Sequence, residues 1–399
     1  MFQASFCTIN NPVSNFLKIG FLIIFISSCN DAKDSKKYSE TNFQVKVVDS
    51  LEIDYLGNLW LINYDPASQR YLGFGNGNQE LVVLDTSGVI LEQFEVPHDG
   101  PNSVSMINAI SMVDGKIQIL EFGKGLVKLD QKGNKIWNLR FPYFAFYLNG
   151  IAGQPFFSMG KEVAFLRPEK VDSKEIDWDE DLKGIFESVY HAPILEIMDT
   201  TSLESRQTMP FPPGSFYQDG NFYGWTFPTV LRKEKDWFLY LGSEMKFYHY
   251  KESAGEIDFV KEVSLQVNDA VPQIGVPFKK QDDFFDLAGK SYSGRINSIT
   301  FDKNNIYVIY EKGFTEDFMS GLDKDPRKRI KQIESEKQNY LAVFDQSLTL
   351  RENDIPLPKG LIYTNIVTEE GEILGLKNQD YFGEEKDQVV YYKLKVIRS

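Results

Sequence analysis

The chain carries three histidines, His98, His191 and His249, spread widely over 399 residues. None falls in an H-E-x-x-H helix or a related metal-ligand spacing, so zinc-hydrolase chemistry is not written locally. His98 is the best placed of the three, because it stands in a turn beside Asp99. Fifty-seven acidic residues supply carboxylates in abundance. Glycoside hydrolysis needs two of them about 5–9 Å apart across a cleft, a separation that residue order does not encode. The run Gln281-Asp282-Asp283-Phe284-Phe285-Asp286 holds three carboxylates in five positions and is a segment to consider for Ca²⁺, as is the acidic stretch 316–325. Both lack the alternating ligands and enforcing glycine of an EF-hand loop, and the expectation is no metal and no other cofactor. A nucleophile elbow, a P-loop and a dinucleotide fingerprint are all missing from the sequence. Cys7 and Cys29 are the two cysteines, both ahead of the expected folded region, which excludes a disulfide framework and a thiol nucleophile in the body of the protein.

Aromatic loop segments offer a different chemistry. Tyr143 and Phe144 in the FPYF stretch, Phe216 and Tyr217 in FPPGSFY, and Trp225 nearby could line one end of a channel and stack against a sugar or an apolar peptide. Packing between sheets is the competing use of the same rings. Arg295, like Arg167 and Arg206, could hold a carboxylate or pair within the fold. The candidate ligand-binding set is therefore His98, Asp99, Tyr143, Phe144, Phe216, Tyr217, Trp225 and Arg295, with no catalytic residue assigned.

What must position these residues is a series of hairpins. Residues 81–96, LVVLDTSGVILEQFEV, read as strand, polar turn and strand, and residues 126–141, LVKLDQKGNKIWNLRF, repeat the pattern. Asp85 and Asp130 are 45 residues apart, the length of one four-stranded propeller blade. A third hairpin begins at Asp199 with Ser202 in place of glycine, after an acidic insertion at 168–184. A fourth unit is expected from strands at 214–217, 221–227, 237–241, 246–250 and 257–265. The fifth runs from 296 to 355 and contains a charged helix opened by Asp325-Pro326. The sixth runs from 361 to 397, with residues 43–48 expected to supply its missing outer strand and close the ring. The fold class is all-β, a six-bladed β-propeller, with five or seven blades as alternatives because residues 268–289 are hard to place. Leu81 and its neighbours then form the outer hairpin of a blade, a structural unit and not a chemical motif.

A net charge of −14 leaves duplex nucleic acid without a basic footprint to bind. Near the start, Lys18, eight apolar residues at 19–26 and Ser27-Ser28-Cys29 read as a secretory signal too short to span a bilayer. Three segments are expected: residues 1–28 as a lipoprotein signal peptide, 29–42 as a flexible tether, and 43–399 as a single propeller domain. Cys29 is the expected lipidation site.

The lipobox, the 45-residue hairpin recurrence and the Gly100-Pro101-Asn102 link together resemble an uncharacterised family of Bacteroidetes predicted lipoproteins, similar to six-bladed propellers of the NHL and TolB-like type. The resemblance implies a cell-envelope protein, lipid-anchored on the periplasmic side or at the outer-membrane surface. The function expected from residues and resemblance together is a membrane-tethered, non-enzymatic binding or scaffold propeller recognising an envelope protein or a glycan. The enzyme alternative is a carboxylate-dependent glycan hydrolase or lyase.

Overall fold

The computed structural model describes residues 42–75, 80–147, 152–170, 181–383 and 387–398. The expected signal peptide, Cys29 and nearly all of the tether lie outside them. Among the described residues, six blades follow one another along the chain, five of them four-stranded antiparallel sheets and one a sheet of five strands. Blade 1 is Trp60–Asp65, Arg70–Phe74, Glu80–Asp85 and Ile90–Glu95. Blade 2 is Ile107–Val113, Lys116–Glu121, Gly125–Leu129 and Lys135–Arg140, and blade 3 is Phe156–Met159, Glu162–Leu166, Leu195–Asp199 and Ser205–Thr208. Blade 4 comprises Thr229–Lys233, Asp236–Tyr240, Lys246–Ser253 and Glu256–Ser264, with Ala152–Gly153 added in parallel beside its inner strand. Blade 5 comprises Tyr292–Phe301, Asn305–Phe314, Asn339–Asp345 and Leu350–Pro356. Blade 6 takes Leu361–Val367, Ile373–Lys377 and Val389–Arg398 from the end of the chain and Phe43–Ile53 from its beginning.

Side chains alternate along each strand, so a central strand presents one row to the blade before it and the other to the blade after it. In blade 2, Ile117 and Ile119 enter the core shared with blade 1, whereas Leu120 and Leu126 enter the core shared with blade 3. Every neighbouring pair of sheets encloses such a core, including blades 5 and 6 and blades 6 and 1, and the ring is thereby closed. The blade count is six, which removes five and seven.

The recurrent aspartate of the outer hairpins is a local cap. Asp85 accepts from the amides of Ser87 at 2.9 Å and Val89 at 3.0 Å. Asp345 accepts in the same way from Ser347 at 2.9 Å and Thr349 at 3.0 Å. Asp130 and Asp199 repeat the arrangement in blades 2 and 3. The left-handed position that Gly88 and Gly133 fill in blades 1 and 2 is taken by Leu203 (φ +61°) and Leu348 (φ +65°) in blades 3 and 5, so the capped turn does not require glycine. Gly88 carries an additional demand: its φ is +89°, and a Cβ there would sit 2.8 Å from the Glu52 carbonyl of the closing strand.

Blade 4 departs from the expected strands. Residues 214–217 and 221–227 do not enter its sheet; Phe216–Gln218 is a 3₁₀ turn, and Asn221–Phe222 pairs with Val276–Pro277 outside the blade. The inner strand is Thr229–Lys233. Aromatic density at 211–227 resembles strand composition, but those rings pack on one another within a long loop.

Candidate functional site at the loop-rich end of the ring

Alternating strand direction sends the connections to two ends. One end carries tight turns, such as Asp114-Gly115 and residues 86–89. Among the described residues, the long insertions leave from the other end: 167–170 and 181–194 within blade 3, 209–228 between blades 3 and 4, 265–291 between blades 4 and 5, and 315–338 within blade 5. In the last of these, Asp325 caps Pro326–Glu336 as the sequence predicts, accepting from the Arg327 amide at 2.8 Å.

Three insertions meet over blades 3 and 4. Phe186, on the helix Asp181–Val189, lies 6.0 Å from the ring of Trp225 and 5.0 Å from that of Phe222. Trp225 in turn lies 6.2 Å from Phe227 and 5.6 Å from Phe285. Phe186 is buried beneath, while Trp225, Phe227 and Phe285 are exposed by 38%, 49% and 56%. An open platform of three rings thus stands on a buried aromatic base that also includes Phe222 and Phe284. The same end of the ring exposes Leu56, Trp60, Met106 and Ile362, close to the starts of inner strands.

Hydroxyls fix the backbone that presents Trp225. Tyr190 donates to the Gly224 carbonyl at 2.5 Å and accepts from the Tyr223 amide at 3.0 Å. Tyr217 donates to the carbonyl of Trp225 itself at 3.2 Å. Gly224 has φ +75° and Phe284 packed where a Cβ would point, so a side chain at this position would displace the platform's support. One layer lower, the buried Glu244 accepts from Ser215 Oγ at 2.9 Å, the Phe216 amide at 3.0 Å and Tyr248 Oη at 2.6 Å. Burial pushes the Glu244 carboxyl above its ordinary pKa, against the lowering effect of these donors.

The eight residues singled out from the sequence divide among four places. Phe216, Tyr217 and Trp225 join the cluster just described, where Tyr217 is buried, Phe216 is half-buried and Trp225 is open. Tyr143 and Phe144 lie over blades 2 and 3. Tyr143 donates to the buried Glu196 at 2.7 Å and stacks on Phe141 at 5.5 Å, and Phe144 packs edge-on to Phe122. Arg295, on the inner strand of blade 5, donates to Glu311 at 2.5 Å and to the Tyr292 hydroxyl. His98 and Asp99 are exposed in the link between blades 1 and 2, which is closed by backbone bonds from Ser103 to Gly100 and from Val104 to Pro97. His249 pairs with Asp236 at 2.7 Å in blade 4, and His191 lies in the blade 3 insertion, so the three histidines occupy separate parts of the ring.

Phe186, Phe227 and Phe285 went unmarked in the sequence. Phe285 lies inside the acidic run at 281–286, whose composition points to carboxylate ligands and not to an exposed ring. Phe278–Asp283 and Phe284–Ala288 form a 3₁₀ segment and a short helix there, which leave Asp282, Asp283 and Asp286 exposed. Among the described residues, no group of three or more histidine, cysteine, aspartate or glutamate side chains is arranged to hold a metal ion.

No family model matches the chain, and no curated protein matches it. Solved structures do. A member of the DUF4221 family from Bacteroides vulgatus superimposes with a TM-score of 0.60 at 12% identity, over 90% of this chain and 99% of that one. A protein described as exported, from Bacteroides fragilis, superimposes with a TM-score of 0.51 at 11% identity, over 90% of this chain and 95% of that one. At such identities the likeness is one of fold, and it extends to the six-bladed ring as such and not specifically to the NHL or TolB-like type.

Proposed function

We propose that the protein is a glycan-binding propeller, held at the bacterial cell envelope by a lipid on Cys29, and that its loop-rich end takes a neutral sugar chain on Trp225, Phe227 and Phe285. The observation that carries this is the exposed three-ring platform on a hydrogen-bonded base. Pyranose rings offer a flat C–H face that packs on an aromatic ring, and hydroxyls around it that need polar partners. Asp286, exposed directly after Phe285, is an acceptor for them. A net charge of −14 disfavours an anionic polymer, so the sugar is neutral. Carboxylate catalysis draws less support: the buried Glu121, Glu196, Glu244 and Glu311 are all engaged in bonds that hold loops and strands.

Affinity electrophoresis through gels containing neutral polysaccharides tests the platform. Trp225→Ala is expected to weaken binding of the retarding polysaccharide about tenfold or more, about 1.4 kcal/mol, with a near-unchanged thermal transition. Retardation that is equal for the two proteins, or absent on every neutral polysaccharide, would refute the assignment. The anchor is tested separately. Cys29→Ser is expected to move the protein from the membrane fraction to the soluble fraction, since the acyl chains supply about 0.8 kcal/mol per buried CH₂. Unchanged membrane association would remove the lipid.

A further inference from the structure

A second site lies at the turn-rich end, bordered by blades 2, 3 and 4, and does not depend on the aromatic platform. Three residues in from each inner hairpin turn, the second strand and its partner on the third strand point toward the following blade. In blades 1, 3 and 5 these pairs are Leu72–Val83, Ala164–Ile197 and Tyr307–Val343, all within interblade cores. Blade 4 has Phe238 opposite His249, their rings stacked. Blade 2 has Gln118 opposite Lys128, in a row that continues to Ser111 on one side and Trp137 on the other.

That row is costly for the fold. Gln118 is 3% exposed, and neither its Oε1 nor the buried Ser111 Oγ has a hydrogen-bond partner. A buried polar atom left so costs about 1–3 kcal/mol, which the pairs of blades 1, 3 and 5 avoid and the His249 Nδ1 of blade 4 shares. Lys128 Nζ lies 5.1 Å from the Trp137 ring and 5.4 Å from the Phe156 ring, a cation held against aromatic faces. Neither Lys128 nor its neighbour Lys116 makes an ion pair among the described residues. Burial, then the charge of Lys116, holds the Lys128 ammonium below its ordinary pKa, with Asp114 opposing. Lys128 and Lys116 thus face the cavity together, with Asp114 as the carboxylate that acts on Lys128.

Gln118, Lys128 and Lys116 border a cavity of about 410 Å³, closed on its far side by Ser158 and Arg232. Arg232 is already committed, donating to the Ser158 carbonyl at 2.9 Å, the Glu234 carbonyl at 3.0 Å and Glu252 at 2.9 Å. It therefore shapes the wall, while the charge left to attract a ligand belongs to the two lysines. Asp114 and Glu234 also border the cavity and are exposed, which disfavours ligands with several negative charges. We propose that this cavity binds a small hydroxylated anion of monosaccharide size, its single oxyanion group on Lys128 and Lys116 and a hydroxyl on the Gln118 amide.

Isothermal titration of the whole protein at low ionic strength, with D-glucuronate, inorganic phosphate and D-glucose as probes, tests the site. Glucuronate is expected to bind saturably, glucose at least tenfold more weakly, and added salt to weaken the anion. Lys128→Met keeps an aliphatic stem over Trp137 and Phe156 and is expected to lose tenfold or more in affinity while still folding. Gln118→Leu removes the unpartnered amide, so it is expected to melt no lower than the wild type yet bind glucuronate several-fold more weakly. A purely structural glutamine would not separate the two effects. Trp225→Ala is expected to bind glucuronate like the wild type, which keeps this test apart from that of the platform. Saturable phosphate without glucuronate would contradict a singly charged, hydroxylated ligand and overturn the proposal. Failure of both anions to saturate, or Lys128→Met titrating as the wild type does, would overturn the proposal.

Discussion

A chain starting at Asp54, without Phe43–Ile53, is expected to lose its cooperative unfolding transition and to aggregate. The strand pairs antiparallel with Val389–Arg398 along its whole length, with one bulge between Val47 and Asp49. It also serves two interfaces at once. Leu51 and Ile53 are buried in the core between blades 6 and 1, and Phe43 is buried in the core between blades 5 and 6. At about 1.5–3 kcal/mol for each large apolar side chain, those three residues alone contribute an amount comparable to a domain's net stability of about 5–15 kcal/mol. Removal would also leave Val389–Arg398 as an unpaired edge, a template for association with other chains. Circular dichroism melts and size-exclusion chromatography check the outcome; a soluble monomer melting like the wild type would contradict it. Ile53→Ala, which leaves the strand in place, should cost about 2–5 kcal/mol and keep the transition cooperative.

The second large effect is expected at Glu244. Glu244→Ala leaves Ser215 Oγ, the Phe216 amide and Tyr248 Oη without their acceptor in a buried setting, at a cost of about 3–5 kcal/mol. Since Phe216 and Tyr217 underlie Trp225, this variant should also weaken sugar binding. Glu244→Gln keeps an acceptor for Ser215 and Phe216 and can donate to the Tyr248 oxygen, so it should stay close to wild type at pH 7. The pH dependence follows from the direction of the shift. A carboxyl raised in the folded state contributes its full stabilisation below its ordinary value of 4.5 and loses it as pH rises through the folded value. Acidification from pH 7 toward 4.5 should therefore favour the wild type over Glu244→Gln, and paired denaturant titrations at the two pH values measure the difference. A gap that stays constant with pH would remove the buried, raised carboxyl.

The parts of the fold that were legible in the sequence are those made within a few residues. The Asp85, Asp130, Asp199 and Asp345 turns each close over two to four positions, so their residue types recur and can be counted. Closure by the first strand was legible as well, because a sixth unit short of one strand needs a donor. The inner strand of blade 4 was not. Thr229–Lys233 sits between Pro228 and the charged Glu234-Lys235, while the aromatic stretch before it has the composition of a strand but spends its rings on packing within a loop. The site was legible only in part for the same reason. Trp225 could be singled out by type, but its partners Phe186 and Phe285 come from insertions 39 residues before and 60 residues after it, and no local pattern brings them together. Gln118 and Lys128 are harder still. Each looks ordinary alone, and only the strand register places them opposite one another in a row that is apolar in blades 1, 3 and 5.

The most direct test of a neutral-sugar platform is ¹⁹F NMR of the protein labelled with 5-fluorotryptophan, titrated with the oligosaccharide of the polysaccharide that retards it. The chain has five tryptophans, and the Trp225 resonance is identified by its loss in Trp225→Phe. A saturable shift of that resonance, with the fully buried Trp237 unmoved, is the expected result. Sugar binding that leaves the Trp225 resonance in place would contradict it.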